Sequence, residues 1–349
     1  MEQPRPEPPP PPAPSGGKSA LAFFGVVVLL FVVGMFAQVA FLPAGLVWSE
    51  VFALLLPALL GTAGSNLRLR PYLKLRRAPG VAVALGALVG GAGYLLAVAV
   101  LLLTQRVVPH SWLETFDPTR VFEGPPWERV LVAAVAVLVA PPCEEIVFRG
   151  YLQTTLALRR GPAAAIAGAA TLFAAIHLDP VRFPSLFILG TIFGWLAWRA
   201  GSLWPAVAAH ATNNAITSIL FLAVADPGAD VESPSLWAIL GTLAVGAGAL
   251  ALLVRAYRAV TSEPPPSSAA LALRDAGDPS IGFAPTRVRG ALRMSVAAGI
   301  GLYVAVLLGG AFVATHPRRA LLAAPDVGAP PTEEHRGGNR GGAPPGRGS

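Results

Sequence analysis

The chain has 349 residues, of which 54% are hydrophobic and only 13% charged, whereas a soluble domain carries about 25% charged residues. That excludes an ordinary soluble fold and implies a polytopic integral membrane protein whose first partner is the lipid bilayer. The net charge of +7 comes from Lys and Arg outnumbering Asp and Glu; the basic residues cluster in loops and tails, which marks membrane sidedness, so no nucleic-acid partner is expected.

Residues 1–18 (MEQPRPEPPPPPAPSGGK) are Pro-rich and cannot bury a core, which predicts a disordered tail. The apolar run from Leu21 to Leu42 is too long for the h-region of a signal peptide and reads as the first membrane helix. A span needs about 20 apolar residues. On that measure the candidate spans are 19–42, 45–64, 80–104, 129–157, 162–178, 184–200, 203–224, 235–254 and 291–315. The expected fold is therefore an all-α transmembrane bundle of eight or nine helices. The runs at 162–178 and 184–200 are short and read as tilted, broken or re-entrant. The runs are continuous, not alternating, so a transmembrane β-barrel is excluded.

The chain divides into the tail 1–18, N-terminal membrane helices over 19–128, a core over 129–224 and C-terminal helices over 225–315. A Pro- and Ser-rich linker occupies 259–290, and a low-complexity tail runs over 316–349. No internal repeat is visible.

Loop charge predicts an orientation. Arg68, Arg70, Lys74, Arg76 and Arg77 crowd one loop with no acid among them, which places that loop in the cytoplasm. The next loop holds Glu114, Asp117, Glu123 and Glu128 and falls outside. Continued alternation places the N-terminus in the cytoplasm. The Ala, Gly, Pro and Arg bias fits a bacterial gene, hence a bacterial cytoplasmic membrane.

Three polar groups interrupt the spans of the core. The first is Glu144 and Glu145 with Arg149, in LVAPPCEEIVFRGYLQ. A charge at bilayer depth costs about 2.5–3.5 kcal/mol on insertion scales and marks a functional site by default. Glu145 and Arg149 are helix neighbours at i,i+4, so Arg149 is expected to neutralise Glu145. Glu144 is rotated by about 100° and is left to face something else. Pro141 and Pro142 should loosen or kink the helix just before the pair. The second group is Phe173 and His177 in LFAAIHLDP, and the third is His210 and Asn214 in AVAAHATNNAITS. Each pair shares one helix face. Both membrane histidines belong to this set, since His110, His316 and His335 lie in loops or tails.

A carboxylate beside an imidazole in an apolar cavity suits general-base activation of water. A second imidazole and a carboxamide on one face can donate to a developing oxyanion. Together they describe amide hydrolysis without a covalent intermediate. The same side chains could instead ligate zinc, with Glu144, His177 and His210 as the ligand set and an open position for water. Neither a metal nor any other cofactor is required by the spacing, and no HExxH helix is present. Cys143 beside Glu144 invites a thiolate reading, but a neighbouring carboxylate and apolar burial disfavour the thiolate. A structural reading also stands, in which the polar groups only clamp helices together. A proton-coupled transporter is a further alternative, weakened by the lack of a repeat.

Glu-Glu-x-x-x-Arg (Glu144, Glu145, Arg149), then Phe-x-x-x-His (Phe173, His177), then His-x-x-x-Asn (His210, Asn214), in that order, resembles the CPBP family. These are the CAAX prenyl protease and bacteriocin-processing or immunity proteins, also called Abi proteins. The likeness spans about 130–222. It implies an intramembrane endopeptidase acting on a membrane-associated peptide or protein. By motif position, Glu144 would activate the water with His177 assisting, His210 and Asn214 would form the oxyanion site, and Glu145, Arg149 and Phe173 would be accessory. Some family members are labelled metalloproteases, and others resemble glutamate-dependent enzymes. The alternative within the family is a non-catalytic scaffold or bacteriocin-immunity protein that keeps the motifs for packing.

Overall fold

A computed structural model describes residues 32–63, 69–117, 124–223 and 233–261. Among these residues all regular structure is helical. Residues 32–40 are helical and lead into α1 (42–63). There follow the short α2 (Leu69–Tyr72), α3 (Gly80–Gln105) and the short α4 (His110–Thr115). Then come α5 (Pro126–Ala157), α6 (Gly161–Ile176), α7 (Phe183–Ala200), α8 (Trp204–Ala223) and α9 (Leu236–Val260). Six of the described helices, α1, α3, α5, α7, α8 and α9, are long and apolar enough to cross a membrane, and α6 is shorter. The chain is an integral membrane protein of the all-α class.

The two tails, most of the expected first span, the linker beyond 261 and the expected span at 291–315 lie outside the described residues. The helix expected over 235–254 runs on to Val260, so the linker begins slightly later than its composition suggests.

Local chemistry fixes where the helices start and stop. Prolines stand in the first turn of α5, α7 and α8 (Pro126, Pro184, Pro205), where a missing N–H costs nothing. Gly201 closes α7 with a left-handed φ of 58°, a conformation that suits glycine. Gly161, at φ 73° and ψ 168° and followed by Pro162, separates α5 from α6. Ser235 caps α9 by accepting a hydrogen bond from the Ala238 N–H at 3.2 Å, the role its residue type favours.

The centre of the bundle is α3, which packs on α7, α8 and α9. Its Gly86 and Gly90 let α8 approach backbone to backbone. A Cβ at Gly86 would lie 2.4 Å from the Pro205 carbonyl oxygen, and one at Gly90 would lie 2.1 Å from that of Ala209. Close approach at glycines four apart is how apolar helices associate when lipid removes the hydrophobic drive. The contact ends one residue before His210. On α9, by contrast, Trp237, Val245 and Leu252 are exposed, a face that suits acyl chains.

α5 is not a uniform α-helix. Val135–Val139 and Ile146–Leu152 are wide π-helical turns flanking Ala140–Glu145. Pro141 and Pro142 are absorbed there without breaking the rod, because the wide turns already give up the usual bonding register. The expected kink is thus a pair of wide turns on either side of the two glutamates.

Candidate active site

The polar groups converge where α5, α6, α7 and α8 meet. Glu145 and Arg149 are both fully buried and form an ion pair at 2.9 Å between Oε1 and Nη1. Nη2 of Arg149 donates to the Gly190 carbonyl of α7 at 3.0 Å. The guanidinium also lies over the rings of Phe173, Phe193 and Phe148, at 4.5, 5.5 and 5.9 Å. Planar stacking with a forked donor set is a task arginine performs and lysine does not. One turn further along α5, Nε2 of Gln153 repeats the pattern by donating to the Gly194 carbonyl at 3.0 Å. Glycine at 190 and 194 lets α7 come close: a Cβ at Gly190 would meet Ala170 at 3.0 Å, and one at Gly194 would meet the Gln153 Oε1 at 2.9 Å.

His210 joins α8 to this pair. Its Nδ1 stands 2.9 Å from Glu145 Oε1 and its Nε2 stands 3.8 Å from Glu144 Oε2. One imidazole therefore bridges the two adjacent carboxylates. Its ring stacks on Phe193 at 4.9 Å between centroids and meets Phe173 edge-on at 5.6 Å. Phe173 also meets His177 at 5.1 Å, so one aromatic ring spaces both histidines. Nδ1 of His177 lies 2.8 Å from the Phe173 carbonyl oxygen. A carbonyl only accepts, so Nδ1 carries the proton, and in the neutral ring Nε2 keeps its lone pair. His177 lies close enough to Glu144, Arg182 and His210 to feel their charges. Arg182 is tied to Asp179 at 2.5 Å, and Asp179 Oδ1 also takes the N–H groups of Val181 and Arg182. That turn fixes the chain directly after His177.

Asn214 is held from both ends. It accepts from Asn213 Nδ2 at 3.1 Å and donates from Nδ2 to the Ala136 carbonyl at 2.8 Å. Ala136 lies in the first wide turn of α5. In that register its carbonyl would look five residues on, to Pro141, which has no N–H to give. Asn214 supplies a donor there. Each amide nitrogen carries two protons, so one N–H of Asn214 is left over.

Glu144, Glu145, Arg149, Phe173, His177 and His210 are thus brought together from three separate stretches of sequence, while Asn214 stands one turn beyond His210 on α8 and bonds to Ala136 of α5. Glu50 was not anticipated. It sits on α1 in a wide turn of its own, Ser49–Leu55, and its carboxyl lies within hydrogen-bonding reach of that of Glu144. The available signal was a lone acidic residue in the otherwise uncharged run VWSEVFALLLP. Gln153 and Asn213 were also unforeseen; as neutral residues they carry no comparable cost to flag them.

Among the described residues no three His, Cys, Asp or Glu side chains are arranged to hold a metal ion. Glu145 Oε1 is committed to Arg149 and His210, and Glu145 is not among the residues expected to ligate zinc.

Comparison with known proteins gives one family match. No curated protein and no solved structure matches the chain significantly. The family model is described as Type II CAAX prenyl endopeptidase Rce1-like, and it covers residues 126–216. That segment opens with α5, ends within α8 and contains every motif position named from the sequence. The match supports an intramembrane endopeptidase, and residues 126–216 carry the Rce1-like pattern of the CPBP family that the three motifs resemble.

Proposed function

We propose that this protein hydrolyses a peptide bond in a membrane-associated peptide or protein, using a water activated by Glu144. The observation that carries the reading is the bridge made by His210 between Glu144 and Glu145, inside a segment matched to an endopeptidase family. Glu145 is already neutralised by Arg149. Glu144 Oε2 is buried without a hydrogen-bond partner, and a carboxylate oxygen so placed in an apolar site is a base in want of a proton.

Glu144 takes a proton from water as the water oxygen attacks the carbonyl carbon. The lone pair on His177 Nε2 accepts the water's other hydrogen bond and orients it. Charge then develops on the carbonyl oxygen. The spare N–H of Asn214 donates to it, and so does His210 Nε2 when the ring is doubly protonated. Preorganised donors of this kind cost no rearrangement at the moment of reaction. The proton held by Glu144 then passes to the leaving nitrogen as the oxyanion re-forms the carbonyl and the C–N bond breaks. Phe173 fixes the spacing of the two imidazoles, and Arg149 keeps Glu145 charged and in place.

A bacterial cytoplasmic membrane with the N-terminus inside fits the run of basic residues over 70–77. A cysteine-accessibility scan of that loop checks the sidedness.

The test of function is cleavage of membrane-associated peptides by purified protein, against Glu144→Ala and His177→Ala. Both variants should lose cleavage. Full activity in both would overturn the mechanism. Glu144→Gln keeps shape and polarity but cannot act as a base. If it supported full function in cells, a non-catalytic scaffold would replace the enzyme. Activity in the presence of a strong chelator addresses metal dependence.

A further inference from the structure

Glu50 lies outside the segment matched to the family, yet its carboxyl lies within hydrogen-bonding reach of that of Glu144. Its Oε2 is buried without a hydrogen-bond partner, as is Glu144 Oε2. α1 is seated against Ala140–Glu145 through its wide turn, Ser49–Leu55. A charged residue on a lipid-embedded helix calls for a reason; here the side chain is turned inward onto another acid.

Two carboxylates in contact cannot both be ionised in so apolar a place, and a hydrogen bond between them requires a proton. The neighbours decide which of the two carries it. Glu144 faces His210 Nε2 from α8 at 3.8 Å, feels Arg149 on its own helix and lies near His177 of α6. Negative charge there is compensated. Glu50 has no cationic partner among the described residues, and the titratable groups near it are Glu144 and the Cys143 thiol. The charge therefore belongs on Glu144 and the proton on Glu50.

We propose that Glu50 is a positioning residue for this reaction: its protonated carboxyl donates to one oxygen of Glu144 and aims the other at the water. The proposal rests on the hydrolase reading above. It also gives α1, which lies outside the matched segment, a part in the site. Glu50 neither touches substrate nor takes the water's proton.

Glutamine can donate from its amide as a carboxylic acid donates from its hydroxyl, and alanine cannot. Glu50→Gln should keep kcat within about threefold of wild type. Glu50→Ala should lower kcat at least about tenfold at unchanged KM. Infrared absorption of the purified protein at neutral pH should show a protonated carboxylic acid, and that band should vanish in Glu50→Gln. The melting temperature of each variant shows whether it folds.

Three results would overturn the proposal. One is a Glu50→Ala enzyme as fast as wild type. A second is a Glu50→Gln enzyme as slow as Glu50→Ala, which would make Glu50 an ionised participant. The third is a carboxylic acid band missing from wild type or unchanged in Glu50→Gln. The infrared measurement needs no substrate, so it decides the proton's place even if cleavage survives Glu144→Ala and the hydrolase reading fails.

Discussion

Glu145 Oε1 stands 2.9 Å from Arg149 Nη1 and 2.9 Å from His210 Nδ1, so one carboxylate oxygen holds two cation-forming groups on two helices. Arg149 is fully buried. Removing its counter-charge leaves an uncompensated guanidinium among phenyl rings, which typically costs about 3–5 kcal/mol. Glu145→Ala should therefore destabilise the protein in detergent by about that amount. Glu145→Ala combined with Arg149→Met should lose clearly less than the two single losses added together, because the stranded charge is gone. Thermal unfolding of the three variants checks this. Strict additivity would mean that the two side chains do not depend on each other.

The two neighbouring glycines of α3 should behave differently. A Cβ at Gly90 would fall 2.1 Å from the Ala209 carbonyl oxygen, whereas one at Gly91 would meet only Ile216 at 3.9 Å. Gly90→Ala must push α8 away at the residue before His210. It should cost about 1–3 kcal/mol and slow cleavage. Gly91→Ala should be close to neutral in both unfolding and activity assays. Equal effects would remove the backbone contact as the cause.

Much of this site is legible in the sequence. The cost of placing Glu144, Glu145 and Arg149 in an apolar run is readable from residue type alone, and i,i+4 spacing correctly pairs Glu145 with Arg149. Long-range partners were not readable. Nothing in the run containing Glu50 says that it turns toward Glu144 on another helix, because an isolated acid has no spacing to interpret. Nor does the sequence show that Asn214 reaches Ala136. The partner is a carbonyl, which every residue possesses, and only the wide turn before Pro141 leaves it in need of a donor. The proline pair announced a disturbance in α5, but its form depends on how neighbouring helices satisfy the freed groups.

Asn214 permits a test that separates donor from shape. Asn214→Asp keeps the volume and removes the N–H groups, and it sets a carboxylate oxygen against the Ala136 carbonyl. On the proposed mechanism kcat should fall by about 100–1,000-fold, the usual loss for one oxyanion donor. Asn213→Ala removes only the hydrogen bond that steadies Asn214 and should cost less than about tenfold. Steady-state cleavage rates decide; equal losses at the two positions would argue that Asn214 acts only through helix packing.

Lys74 gives a pH dependence outside the membrane. Burial pushes its ammonium down to about 7, Arg149 adds to the effect and Glu145 opposes it. Its Nζ donates to the Arg149 carbonyl at 2.6 Å, which the neutral amine can also do. An unfolded lysine titrates near 10.4. Between about 7 and 10 the unfolded chain thus holds a proton that the folded protein has released, so stability rises with pH across that window. The melting temperature should increase by about 2–4 °C between pH 7 and 9. Lys74→Met should flatten that rise. A wild-type protein whose melting temperature falls over the window would contradict the assignment.

The wide turns of α5 have a consequence for how this gene can change. Each one accommodates surplus backbone, and the bearing of everything downstream depends on how many residues lie between Val135 and Leu152. Dropping a single codon inside a wide turn would let it relax to ordinary winding and absorb the loss, whereas dropping one from the ordinary turn between them, Ala140–Glu145, would swing the following side chains by about 100°. Exchanging one apolar residue for another in the same stretch would leave that bearing untouched. Length over Ala140–Glu145 is therefore under tighter constraint than the identity of Ala140 or Cys143, and deep mutational libraries should find in-frame deletions there inactivating where conservative replacements at those two positions are silent.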